Sequence, residues 1–130
     1  MEFPDLVVVP HADAPSFPAF ENLTRKVLAT NDKLMLVEHT MEEGSVFPRH
    51  QHPHEQLAYL VSGHIRVQVG GESGQIFEAR GGDSFVLKGG VDHQVWAIER
   101  SVALDIFTPM REDYLEHATA PALAAVSRES

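Results

Sequence analysis

Residues 44–63 read GSVFPRHQHPHEQLAYLVSG, and closely spaced histidines followed by a glutamine stand in the middle of this stretch. Successive residues of a β-strand point to opposite faces, so His50 and His52 face the same side and can reach one common atom. Neutral imidazole is a good ligand for zinc, iron, nickel and copper. The stretch therefore predicts half of a metal site carried on a strand.

Two further residues extend the predicted site. Gln56 follows His52 by four positions and shares its face if the strand resumes in register after the intervening proline. His93 opens a later strand just after a pair of glycines, which places it to donate from across a barrel. We expect His93 to join His50 and His52 around one metal ion, with Gln56 on the same side.

The chain around this stretch consists of short segments with alternating apolar and polar residues, separated by glycine or proline turns. His64–Val69 is the cleanest of them. A spacing of about ten residues per strand and turn is typical of an all-β sandwich or barrel. We predict strands over Lys33–Met41, Ser45–His52, Gln56–Ser62, His64–Val69, Gln75–Arg80, Ser84–Lys88, His93–Glu99 and Val102–Thr108.

The length of 130 residues fits one domain. Prolines interrupt the first twenty residues, so we predict an extended N-terminal arm over residues 1–32, within which residues 22–30 fit either a strand or a turn of helix. Residues 33–110 are predicted to form the barrel. Residues 111–130 are predicted to form a short helix and a loose tail.

Composition excludes several classes of function. The chain has 10 Lys+Arg against 19 Asp+Glu, a net charge of −9, which argues against a nucleic-acid partner and against an anionic membrane surface. It contains no cysteine, which excludes disulfides, thiolate zinc sites and cysteine nucleophiles. The N-terminus lacks the pattern of a signal peptide, so we expect a cytoplasmic protein.

His39 is predicted to be a further metal ligand. It shares a strand face with Met35, Val37 and Met41, so this face is expected to be the barrel interior. A buried imidazole needs a polar partner, and a nearby metal is the readiest one. A hydrogen-bonded core histidine is the alternative.

Two motifs in the chain resemble those of the cupins, a family of small β-barrels. The first is Gly44-x5-His50-x-His52-x3-Gln56-x6-Gly63, and the second is Gly82 followed by Gly90-x2-His93. The resemblance implies an all-β fold, a single jelly-roll-like barrel with a short C-terminal helix. It also implies one metal held by His50, His52, Gln56 and His93, with Gln56 at the position that normally carries glutamate.

The glutamine at this position bears on which metal is bound. A neutral amide oxygen offsets less of the metal's charge than a carboxylate does, so the bound ion is a stronger Lewis acid. That property suits the polarisation of a carbonyl group better than redox chemistry. We therefore expect Zn²⁺, with Fe²⁺, Ni²⁺ and Mn²⁺ as alternatives.

The segment Leu104–Leu115 resembles the closing segment of one single-domain cupin group, the KdgF type, which linearises unsaturated uronates during pectin and alginate breakdown. That group also carries the HxHPHEQ string seen at His50–Gln56. The resemblance implies catalytic or substrate-contacting roles for Asp105, Phe107 and Arg111. The chain is similar as well to the zinc-dependent, single-domain cupin cyclases of aromatic polyketide biosynthesis, which use several histidines and a glutamine as ligands.

A fourth histidine ligand suits the cyclases and departs from the uronate group. We therefore expect first a zinc cyclase that closes polyketide rings by aldol condensation, with Asp105 or His54 moving the proton and Arg111 binding a carbonyl oxygen. The alternatives are the uronate-linearising enzyme and a non-catalytic cupin that binds a small molecule. We also expect a homodimer. The predicted substrate pocket is lined by Met35, Met41, Phe47, Phe85 and Phe107.

Overall fold

Ten β-strands provide most of the regular structure in residues 3–117, the part of the chain that the computed structural model describes. The strands are β1 (Phe17–Phe20), β2 (Leu23–Thr30), β3 (Met35–Met41), β4 (Val46–His50), β5 (Glu55–Ser62), β6 (His64–Val69), β7 (Gln75–Arg80), β8 (Ser84–Leu87), β9 (His93–Ala97) and β10 (Ser101–Thr108). Short 3-10 helices span His11–Asp13 and Glu112–His117. The all-β prediction is confirmed.

The strands form two antiparallel sheets. The larger has the order β1-β2-β3-β10-β5-β8, and the smaller has the order β4-β9-β6-β7. Buried apolar side chains of both sheets meet in one core, where Leu23, Met41 and Leu60 of the larger sheet pack with Ile65 and Val67 of the smaller. This packing leaves the inward faces of β3, β5, β9 and β10 around a shared interior.

A second apolar cluster lies under the C-terminal helix. Val27, Met35, Val37 and Phe107 pack there with Tyr114, and each is at most 4% exposed. The alternation on β3 is as predicted, because Met35, Val37, His39 and Met41 are all buried. Complete burial of a side chain such as Met35 stabilises the fold by about 1.5–3 kcal/mol.

The N-terminal arm is shorter than the sequence predicts. The structure places most of residues 17–30 in β1 and β2, at one edge of the larger sheet, so that, of the described residues, 3–16 precede them. Pro18 is the last of the closely spaced N-terminal prolines. The residues after it alternate between inward and outward positions, with Leu23, Arg25 and Val27 turned inward. The barrel therefore begins at Phe17 rather than at residue 33.

The remaining boundaries differ by small amounts. β3 begins at Met35 because the Asn31 side chain accepts hydrogen bonds from the backbone N–H groups of Lys33 and Leu34 and holds them in a turn. The predicted C-terminal helix is present as the 3-10 turn at Glu112–His117, and the predicted tail over residues 118–130 lies outside the described residues. Within residues 3–117, no helix has the length and apolar character needed to cross a membrane.

Candidate metal centre

One cavity between the two sheets contains most of the predicted site. Its lining includes predicted ligands, predicted catalytic residues and predicted pocket residues: His39, Met41, Phe47, His50, Gln56, Phe85, His93, Asp105, Phe107 and Arg111. The strand register explains this convergence, because β3 and β5 both pair with β10 and present their inward side chains to the same space.

Three predicted residues, Met35, His52 and His54, are not part of the cavity lining, although His52 lies beside Gln56 and His93, which are. Met35 belongs to the apolar cluster under the C-terminal helix. It lies four residues before His39 on the extended strand β3, too far along the strand to line the cavity. The His54 side chain is half-buried, and the proline before it breaks the alternation that carries His50 and His52 inward. The structure therefore corrects Met35 from pocket to core and gives no support to His54 as the proton carrier.

Three histidines converge on one point. The ligand atoms of His50, His52 and His93 all lie within 4.8 Å of one another. His50, at the end of β4, is the register partner of His93, at the start of β9. His52 lies just beyond β4 rather than within it, yet its ring centroid is 5.1 Å from that of His93. The predicted three-histidine group is thus present.

The backbone fixes the orientation of all three rings. Each Nδ1 donates to a carbonyl oxygen two residues away: His50 to Pro48 at 2.8 Å, His52 to His54 at 3.1 Å and His93 to Val91 at 2.9 Å. A carbonyl oxygen only accepts, so Nδ1 carries the proton and Nε2 keeps its lone pair. This arrangement is typical of metal-binding histidines, whose second ring nitrogen is held by a neighbouring acceptor.

Electrostatics also favours neutral rings at this site. Burial and the neighbouring His93 ring lower the pKa of His50 to about 4. Burial likewise lowers the pKa of His52 and of His93, and the charge of Arg111 adds to this at both. Neutral imidazole is the form that binds metal, so the free protein already presents the right protonation state.

Gln56 lies beside the histidines with its amide held in one orientation. Its Oε1 is 3.0 Å from His52 Nε2, and its Nε2 donates to Asp105 Oδ1 at 2.8 Å. A carboxylate cannot donate, so it fixes the nitrogen end of the amide toward itself and the oxygen end toward the histidines. Gln56 can therefore supply the fourth, neutral oxygen ligand implied by the sequence.

His39 is not part of the three-histidine group. Its Nδ1 donates to Asp105 Oδ2 at 2.8 Å, and its Nε2 accepts a hydrogen bond from Arg25 Nε at 3.1 Å. Both ring nitrogens have protein partners. The residue is only 3% exposed, and these hydrogen bonds offset the cost of burying its imidazole. The expectation that His39 ligates the metal is not supported, and the alternative of a hydrogen-bonded core histidine describes it instead.

Arg111 brings a buried positive charge to the cavity. Its Cζ lies 3.9 Å from the ring centroid of Tyr114 and 5.2 Å from that of Phe107. Asp113 pairs with Nη2 at 2.8 Å, whereas Nη1 is buried and has no hydrogen-bond partner among residues 3–117. A buried, unsatisfied guanidinium nitrogen is costly, so Nη1 is available to donate a hydrogen bond to a further acceptor in the cavity.

Sequence reasoning missed Arg25 and Tyr114. Arg25 is the register partner of His39 and is 6% exposed, and its Nη2 donates to the Tyr114 hydroxyl at 3.1 Å. The alternation of Leu23, Arg25 and Val27 was the available signal, because it places an arginine on an apolar face. Tyr114 lies three residues beyond Arg111, and no local pattern marks it as part of the cavity lining.

A two-sheet barrel with three inward imidazoles and a glutamine at one end of its interior is the architecture of a cupin. The chain belongs to this family: residues 37–107 match the family described as Cupin domain. The matched region begins in β3 and ends in β10, and it contains all three histidines and Gln56. The cupin resemblance of the sequence is confirmed.

Three individual cupins illustrate how similar the chain is to known proteins. The chain is 32% identical over 97 residues to the pectin degradation protein KdgF of Dickeya dadantii (strain 3937), covering 73% of this chain and 86% of the relative. The structure of KdgF from Halomonas sp. is similar with a TM-score of 0.74 and 29% identity, covering 82% of this chain and 96% of that one. The polyketide cyclase RemF from Streptomyces resistomycificus has a TM-score of 0.67 and 18% identity over 80% of each chain, a level that shows the common fold alone.

Proposed function

We propose that this protein is a metal-dependent isomerase that converts a 4,5-unsaturated monouronate into its open-chain keto form. The observation that carries the proposal is the arrangement of three Nε2 lone pairs around one point with a carboxylate and a buried arginine beside them. The similarity to pectin degradation protein KdgF over most of both chains supports it. Zinc is the metal we propose first, because histidine and neutral oxygen donors suit it.

The reaction consists of bond rearrangement without any co-reactant. The C1–O bond of the sugar ring breaks and C1 becomes an aldehyde, so a proton must leave the C1 hydroxyl group. The ring oxygen stays on C5, which becomes a ketone once C4 receives a proton. One proton is removed and one is delivered, so the site needs a proton carrier, a Lewis acid for oxygen and a cation for the carboxylate. A divalent metal bound by the histidines supplies the Lewis acid.

Asp105 is the proton carrier in this proposal. It lines the cavity, is 6% exposed, and already accepts hydrogen bonds from His39 Nδ1 and Gln56 Nε2. These two donors hold the carboxylate in one orientation, from which it can take a proton from oxygen and return it to carbon. A carboxylate oxygen has more than one acceptor position, so these contacts leave room for a substrate hydroxyl.

Arg111 is the group that binds the uronate carboxylate. Its Nη1 lacks a partner among the described residues, and the guanidinium packs against the rings of Tyr114 and Phe107. The net charge of −9 disfavours anion binding at long range, but the guanidinium of Arg111 brings a positive charge to the cavity itself. Local charges dominate because separated surface charges are screened by salt.

The aldol cyclase is the second candidate. The apolar part of the cavity favours it, since Met41, Phe47, Leu60, Phe85 and Val95 form much of the lining and suit a polyketide chain. His39 was the reason to prefer it, and His39 is engaged with Asp105 and Arg25 instead. The uronate reaction therefore ranks first, and the cyclase is retained on the apolar lining alone.

The direct test is turnover of a 4,5-unsaturated monouronate by the zinc-loaded protein. We expect loss of the C4=C5 double bond and growth of the keto product by NMR, with both abolished when a chelator removes the metal. An absence of turnover with zinc, iron, nickel or manganese would contradict the proposal. Tight uronate binding without turnover would instead support the non-catalytic cupin. The homodimer and the cytoplasmic location stay predictions, and light scattering checks the first.

A further inference from the structure

We infer that Arg25 and His39 are positioning residues for Asp105: together they form a buried bridge that holds the carboxylate toward the metal site. The inference rests on the proposed function in one respect, namely that Asp105 moves the proton. The bridge itself rests on two hydrogen bonds, from Arg25 Nε to His39 Nε2 at 3.1 Å and from His39 Nδ1 to Asp105 Oδ2 at 2.8 Å.

The direction of each hydrogen bond follows from the donor groups. A guanidinium has N–H donors and no acceptor, so His39 Nε2 must accept and must therefore be free of a proton. The single proton of the neutral ring is then on Nδ1, where it faces a carboxylate oxygen. Arg25 thus selects the tautomer of His39 that donates to Asp105, as a neighbouring hydrogen bond commonly does for histidine.

Arg25 is itself held firmly in place. It is 6% exposed, its Cζ lies 3.7 Å from the ring centroid of Tyr114, and its Nη2 donates to the Tyr114 hydroxyl at 3.1 Å. Burial raises the pKa of Tyr114, so the phenol is neutral and can accept this bond. The 3-10 helix that carries Tyr114 is therefore linked to Asp105 through two side chains.

The bridge leaves Asp105 oriented without blocking it. Gln56 Nε2 holds Oδ1 and His39 Nδ1 holds Oδ2, so the carboxylate plane has contacts on both oxygens. The guanidinium charge lies one imidazole away and compensates a carboxylate that is 94% buried. Loss of the bridge removes one of the two orienting contacts, which should slow proton transfer more than it weakens substrate binding.

Variants of His39 separate this role from simple core packing. We expect His39→Leu, of similar size, to lower kcat by about 10-fold to 100-fold, the usual cost of removing a group that orients a site residue, with little change in KM or zinc content. The amide nitrogen of asparagine lies as many bonds from the backbone as Nδ1, so His39→Asn should keep the contact with Asp105 and recover much of kcat. His64→Leu, which removes a histidine paired with Glu78 on the smaller sheet, is the matched control.

Arg25→Met tests the outer end of the bridge. We expect it to lower kcat in the same direction, and the double variant with His39→Leu to be no slower than His39→Leu alone, because both act through one chain of contacts. If His39→Leu folds poorly, Arg25→Met and His39→Asn carry the test. A kcat within twofold of wild type for folded, zinc-loaded His39→Leu, or for Arg25→Met, would overturn the inference.

A second readout is independent of the substrate. NMR of the zinc-loaded, ¹⁵N-histidine-labelled protein should show His39 with its proton on Nδ1 and none on Nε2, and the Nε2 resonance should shift in Arg25→Met, where Nε2 loses its hydrogen-bond donor. A protonated Nε2 in the wild-type protein would refute the bridge. If the wild-type protein does not turn over the uronate, the proposed function fails while this spectrum still decides the bridge.

Discussion

The two sides of the cavity are built in different ways. On one side, each metal-facing histidine is oriented by a carbonyl oxygen only two residues away, so its geometry is local. On the other side, Arg25, His39 and Asp105 come from β2, β3 and β10, and the contact between His39 and Asp105 spans 66 positions of sequence. The histidines of the metal side can therefore be recognised from local sequence patterns. The carboxylate side forms only when distant strands pair in the sheet.

The largest effect is expected on the metal side. His52→Ala should remove the bound metal and all turnover together, because the imidazole Nε2 has no substitute nearby. Metal analysis and the uronate assay on the same sample check this, with His64→Ala as a control that keeps both. Stoichiometric zinc in His52→Ala would take His52 out of the ligand set.

The next effect is expected at the point where the two sides meet. Asp105→Asn should keep the metal, because the side chain keeps its size and its Oδ1 can still accept the hydrogen bond from Gln56 Nε2. Asparagine cannot accept a proton at neutral pH, however. Turnover should fall by about two to four orders of magnitude, the usual contribution of a general base. Rates near those of the wild-type protein would reduce Asp105 to a structural residue.

A smaller effect, mainly on substrate binding, is expected at Arg111. Lysine keeps the charge but cannot form a planar fork or stack between Tyr114 and Phe107, so Arg111→Lys should weaken carboxylate binding. Loss of one charged hydrogen bond corresponds to about a 10-fold to 100-fold rise in KM. Steady-state kinetics at full zinc loading measure it, and an unchanged KM would show that the carboxylate binds elsewhere.

The smallest effect on catalysis is expected in the apolar cluster under the C-terminal helix. Met35→Ala should lower the free energy of unfolding by about 2–5 kcal/mol through the cavity it leaves. Because Met35 does not line the substrate cavity, kcat and KM of the folded variant should stay close to wild type. Denaturant unfolding with parallel kinetics checks both parts, and a large KM change would return Met35 to the pocket.

The sequence is sufficient for the fold class and for the metal side of the site. Alternation identifies the strands from β3 onward, and the spacing of His50, His52 and His93 predicts their convergence. β1 was missed, and β2 was left open between a strand and a turn of helix, because the prolines before Ala19 obscured the alternation that follows them. Local patterns do not predict which distant strands pair with each other.

His39 shows where that limit lies. The alternation of inward and outward residues on β3 places the His39 side chain in the interior, and the structure shows it buried. Parity does not say which of two nearby groups satisfies a buried imidazole, the metal or the carboxylate. The answer depends on Arg25, its register partner on β2, and the sequence left that segment open between a strand and a turn of helix.

The structure of the zinc-loaded protein at high resolution tests the central claim most directly. We predict one ion bound to the Nε2 atoms of His50, His52 and His93 at about 2.0–2.1 Å, with Gln56 Oε1 as a further ligand. His39 should remain hydrogen-bonded to Asp105 and Arg25. An ion bonded to His39, or one bound away from the three histidines, would contradict the account and restore the case for the cyclase.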